Sequence, residues 1–145
     1  WKLTKRMKKQ KINRNEVFIM PYANKEYYRN QYYGTELDDG IVEKYLKLAS
    51  NDIDALTFNR IRDVEFDNLT DFQQNTIKDV ICRLAEFKFL NKELLDNFLS
   101  SYSINGVTMN FEKSWNVKII GEVVIPKNLY SLLEQTGLTC RNFRW

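Results

Sequence analysis

The chain has 145 residues, 43% of them hydrophobic and 28% charged, which describes one globular domain able to bury its own core rather than a disordered polymer. Histidine is absent, and with it the commonest general base and the commonest metal ligand. There is also no glycine-rich phosphate loop, Cys-x-x-Cys pair or nucleophile elbow, so the reading is no enzyme, no catalytic residue, no metal site and no cofactor.

The net charge of +3 hides an uneven distribution. Within residues 1–14, Lys2, Lys5, Arg6, Lys8, Lys9, Lys11 and Arg14 make a basic arm with no acid among them, which leaves 15 of the 22 basic residues against all 19 acidic ones from residue 15 on. Such an arm either meets phosphate or an acidic partner or is a solvated leader. Trp1 is not a translation start, so the chain is expected to begin within something longer or to carry an extension. An arm of this kind is ordered only when something pins it, and a partner is expected. No apolar run approaches the ~20 residues that cross a bilayer, and no basic start followed by an apolar core marks a signal peptide. Cys82 and Cys140 stand far apart and are expected to be reduced thiols in a cytosolic setting.

In chain order, Pro21 closes the arm of residues 1–20. Asn24 can cap a short helix from Lys25 to Tyr33, with Gly34 as its stop. Tyr27, Tyr28, Tyr32 and Tyr33 are expected to pack there with hydroxyls outward, in the core or at an interface. Asp38 or Asp39 starts a second helix running to about Phe58, with Ile41, Tyr45, Leu48, Ala49, Ile53 and Leu56 as its apolar stripe and Asp54 mostly off it. Residues 60–69 read as a connector.

Thr70-Asp71-Phe72-Gln73 is a capping box, and a long helix follows to about Leu90. Ile77, Val80, Ile81, Leu84 and Phe87 form its main stripe, widened by Cys82, Ala85 and Phe89. A wide arc belongs to a central helix or to one touching a second subunit. Lys92–Leu99 continues in helical spacing after a bend.

Asn105-Gly106 between alternating apolar residues is a strong two-residue hairpin signal. Tyr102, Ile104, Val107 and Met109 flank it, and a hairpin projecting from a helical body is a contact device. Val117 and Ile119, then Val123, Val124 and Ile125, read as strands around Gly121. Pro126 opens a last helix from Asn128 to about Gln135, ended by Gly137. The tail 138–145 has no acid and carries Leu138, Phe143 and Trp145 with Arg141 and Arg144, residue types suited to docking on a partner. The expected fold is mainly α. It is a small helical bundle with a β-hairpin and short strands inserted before the last helix, within a connector domain of residues 21–137 (hairpin region about 101–125), plus extended N- and C-terminal arms.

Five segments then resemble, in order, the head–tail connector (adaptor) proteins of tailed bacteriophages. Met20-Pro21-Tyr22 with Lys25-Glu26-Tyr27-Tyr28 is similar to their usual start. Leu56–Ile61 resembles the end of their second helix, and Cys82–Phe87 the middle of their central helix. Ser101–Val107 and Leu132–Leu138 complete the series, which spans nearly all of residues 20–142. Residues 1–19 precede the family's usual start and have no counterpart.

The resemblance implies a non-catalytic virion protein at the capsid–tail junction, made in the cytoplasm of the bacterial host. It implies a homo-oligomeric ring, typically of about twelve copies, beneath the portal protein. Such a ring extends the channel through which genomic DNA passes without sequence-specific binding, and receives a stopper or tail terminator. On this reading Leu138, Arg141, Phe143, Arg144 and Trp145 meet the portal or neck. Tyr102, Ile104, Asn105, Gly106, Val107 and Met109 face neighbouring neck parts. A ring subunit also needs two different adhesive faces, for which Tyr27, Tyr28, Tyr32, Cys82 and Phe89 are the candidates. No membrane is involved. The alternative is a small nucleic-acid-binding regulator with a basic arm. It would need a basic recognition helix, and neither long helix is basic.

Overall fold

A computed structural model describes residues 21–100 and 116–141, with side chains omitted at 98–100. It contains α1 (Lys25–Asn30), α2 (Val42–Leu56), α3 (Arg60–Val64), a 3-10 turn (Phe66–Asn68), α4 (Asp71–Leu90), α5 (Lys92–Ser100), β1 (Val117–Ile120), β2 (Val123–Pro126) and α6 (Lys127–Glu134). The chain is mainly helical, with a two-strand hairpin before the last helix, as the apolar spacing predicts.

The long helix α4 is the centre. Thr70 Oγ1 accepts from the Gln73 amide and the Gln73 side chain accepts from the Thr70 amide, so the capping box satisfies two free donors of its first turn. Ile77, Val80, Ile81, Cys82, Leu84 and Ala85 are all fully buried, so the widened arc belongs to a central helix. The helix α2 packs along it, and α6 packs on another side. Tyr45 near the start of α2 meets Phe89 near the end of α4 edge-to-face, with ring centroids 5.5 Å apart, so the two helices run antiparallel.

The buried side of α2 keeps Tyr45, Ala49, Ile53 and Leu56 of the expected stripe and loses Leu48. Val42, Tyr45, Leu46, Ala49, Ser50 and Ile53 face inward, whereas Leu48 is 40% exposed. Two residues beyond Leu46 is about 200° around a helix, which sends Leu48 outward. Asp54 is buried, not off the inner face. The connector of residues 60–69 is itself structured, and Ile61 on α3 joins the core.

The strands pair antiparallel, with Val117 opposite Pro126 and Ile120 opposite Val123. Their two-residue turn starts at Gly121, whose φ of 61° a side chain would disfavour. Val117 and Val124 form a small second cluster with Leu95 of α5. The Asn105-Gly106 hairpin lies outside the described residues.

Candidate functional site

Two side-chain constellations stand out: one fastens the N-terminal segment to the bundle, the other fastens the base of the C-terminal tail. Asn24 caps α1, its Oδ1 accepting from the Tyr27 amide at 2.8 Å. The helix stops at Asn30, earlier than its spacing suggests, with Gln31 as its C-cap, and the left-handed residue of the loop that follows is Tyr33, with φ 60°, not Gly34. Gly34 serves a different need. A Cβ there would lie 2.1 Å from Cζ of Tyr28, so the backbone passes directly against that ring.

The hydroxyls of Tyr27, Tyr28 and Tyr32 point inward rather than outward, whereas Tyr33 is 79% exposed. Tyr27 donates to Asp79 at 2.7 Å, Tyr28 to Glu86 Oε1 at 2.8 Å and Tyr32 to Glu86 Oε2 at 3.0 Å. Tyr22 donates to Asp54 at 2.5 Å, and Arg62 pairs with the other oxygen of that carboxylate. The carboxylates of α4 explain the orientation: Asp79 and Glu86 sit two turns apart on the face that α1 covers. A phenol buried without a partner would lose hydrogen-bonding free energy, and the carboxylates supply the acceptors. Arg29 closes the following loop by donating to the carbonyls of Gly34 and Leu37 and to Asp39.

Burial, reinforced by the neighbouring carboxylates, pushes the phenols of Tyr22, Tyr27 and Tyr32 well above their usual range and that of Tyr28 up to about 12. Burial also raises the Cys82 thiol to about 12. A raised pKa means that the folded state holds its proton more tightly than the unfolded chain. Stability is therefore complete below the ordinary values, ~8.5 for the thiol and ~10 for a phenol, and falls as pH climbs from there through the folded values. We predict a stability plateau up to about pH 8, a decline above it, then cooperative unfolding with a jump in tyrosinate absorbance as the four bonded phenols ionise together. Smooth ionisation of all eight tyrosines near their ordinary pKa, with helicity intact, would contradict it.

The second constellation gathers at the corner between α2 and α3. Phe58 and Asn59 both adopt left-handed backbone, with φ 57° and 58°, and Arg60 begins α3 immediately after them. Nη1 of Arg60 donates to the carbonyl of Leu138 at 2.9 Å and also to that of Cys140. Gln73 Nε2 donates to the Thr136 carbonyl at 3.0 Å. Leu138 itself is fully buried in the core.

These facts redistribute the candidate residues. Leu138 is withdrawn as a portal contact because no part of its side chain reaches the surface. Tyr28 and Cys82 are withdrawn as inter-subunit contacts for the same reason. Tyr27, Tyr32 and Phe89 are half-buried, committed to Asp79, Glu86 and Tyr45 respectively. Arg141 is exposed, and Cys140 is an exposed free thiol. Residues 1–20, 101–115 and 142–145 lie outside the described residues, and with them the basic arm, the hairpin candidates Tyr102, Ile104, Asn105, Gly106, Val107 and Met109, and Phe143, Arg144 and Trp145. Of the residues that organise both constellations, Gln73 belongs to the capping box, whereas Asp54, Arg60, Asp79 and Glu86 carry no local motif. The two-turn spacing of Asp79 and Glu86 opposite a tyrosine-rich helix is the one signal that points to them.

Among the described residues, no group of three or more Cys, Asp or Glu is placed to hold a metal ion, and no helix is long and apolar enough to cross a membrane. A cleft lined by Lys44, Tyr45, Leu48, Lys88, Leu95 and Val124 measures about 150 Å³. Comparison with protein-family models, with curated proteins and with solved structures gave no match.

Proposed function

We propose that this chain is a structural subunit of a tailed-phage neck: an adaptor that assembles as a ring under the portal, extends the DNA channel and joins the head to tail components at the capsid–tail junction. One observation carries the reading. Four of the five segments that resemble the adaptor family are joined in two pairs by side-chain hydrogen bonds. Tyr28, in the first segment, bonds Glu86, in the central one. Arg60, in the segment ending α2, bonds the carbonyl of Leu138, in the last. The fold thus brings separated segments of that resemblance into contact, as a shared fold would require.

The end of the tail is the proposed portal contact, from the exposed Arg141 on through Phe143, Arg144 and Trp145. The test is binding to purified portal rings by the full chain and by a chain ending at Arg141. The shortened chain is expected to keep its helicity and lose most of its affinity. Equal binding by both would refute the tail contact. A chain starting at Met20 separates this function from a nucleic-acid-binding regulator. Salt-sensitive binding to duplex DNA that survives the deletion would favour the regulator.

A further inference from the structure

Arg60 opens α3 at its corner with α2. Its Nη1 reaches two carbonyls, at Leu138 and Cys140, on the stretch of chain that leaves the bundle. Its guanidinium carbon lies 4.9 Å from the centre of the Phe58 ring, so the donor group is itself held in place. The corner that delivers it is unusual, because a bulky Phe followed by Asn in left-handed backbone is a conformation that most sequences avoid. Upstream, Gly137 turns the chain at φ 77°, and the Leu138 amide donates to Thr136 Oγ1 at 3.3 Å. The tail base is therefore held from inside by Leu138 in the core and from outside by Arg60, over a span that ends where the thiol of Cys140 reaches solvent.

We propose that Arg60 is the positioning residue of the C-terminal tail: it sets the direction in which the chain leaves the bundle, so that a partner receives a tail base that is already ordered. This rests on the tail being the docking element. A preset exit spares the partner the entropy of ordering that segment, which favours binding without adding a contact. Arg60 acts through the tail and need not touch the partner. Lysine would keep the charge and a donor but lose the flat face that lies over Phe58, and so would restore the clamp only in part.

Cys140 offers a direct readout, because it is exposed whereas Cys82 is fully buried, so a thiol-reactive spin label on the folded full-length chain reports the tail base. The label is expected to be restricted in the parent, mobile in Arg60→Gln and intermediate in Arg60→Lys. Affinity for purified portal rings is expected to fall about tenfold in Arg60→Gln, the scale of losing hydrogen bonds to a charged group, and less in Arg60→Lys. Should Arg60→Gln fail to fold, the parent and Arg60→Lys carry the comparison. Unchanged label mobility in folded variants would overturn the proposal, whatever happens to binding. A parent chain that ignores portal rings would remove the adaptor reading, while the label would still judge the clamp.

Discussion

Gly34→Ala destabilises the protein by about 3 kcal/mol, the upper part of the range for forcing extra atoms into a packed site. The reason is local and steric. The new methyl group would stand 2.1 Å from Cζ and 2.3 Å from Cε2 of Tyr28, and an exposed ring would simply swing away. This ring cannot. It is fully buried, its hydroxyl donates to Glu86, and the same oxygen accepts from the Leu37 amide at 3.1 Å. Moving it breaks two buried hydrogen bonds and lifts the loop through Leu37 off the core. For a domain of this size the loss corresponds to a drop in melting temperature of roughly 10 °C. Gly40→Ala is the matched control, because nothing lies within 4 Å of the Cβ it would add. Thermal melts of the two variants are expected to separate widely, and similar melting temperatures would contradict the packing described for Tyr28.

Removing Leu138 has an effect of similar size. Leu138→Ala is expected to cost about 3 kcal/mol, within the usual span for emptying a fully buried leucine site. A chain ending at Gly137 loses more, since Arg60 is also left without the carbonyls of Leu138 and Cys140. With total stabilities of only about 5–15 kcal/mol, that chain is expected to melt early or to lose cooperativity. A chain ending at Arg141 keeps both features and is expected to melt like the parent. Chemical denaturation of the three chains distinguishes these outcomes. A fully stable chain ending at Gly137 would show that the tail base is not part of the fold.

The contrast between these residues and the helices marks where reading a sequence succeeds. Apolar periodicity places α4 and its capping box because both depend on neighbours within one or two turns. The hairpin around Gly121 is legible for the same reason. Leu138 is not legible as core, because a single leucine after a glycine gives no period, and only the path of the chain past α3 turns it inward. The tyrosines fail differently. Their spacing indicates packing, but the side to which the hydroxyls turn depends on Asp79 and Glu86, fifty residues away. Gly34 looks like a helix stop beside Tyr32-Tyr33, yet its small size matters because of Tyr28, which no local pattern reveals. Arg60 is hidden for a like reason, since its acceptors are backbone carbonyls and backbone leaves no trace in residue type. Features fixed by local geometry can thus be read directly, and features fixed by long-range side-chain bonds cannot.

The alkaline behaviour and the Arg60 clamp test the fastenings one at a time. The adaptor proposal itself turns on assembly. The most direct measurement is the mass, by native mass spectrometry or light scattering, of the full-length chain alone and mixed with purified portal rings. The adaptor reading predicts that the mixture gains many copies of this chain per portal ring in a closed stoichiometry. A chain whose mass is unaltered by portal rings, but which shifts with duplex DNA, would contradict it.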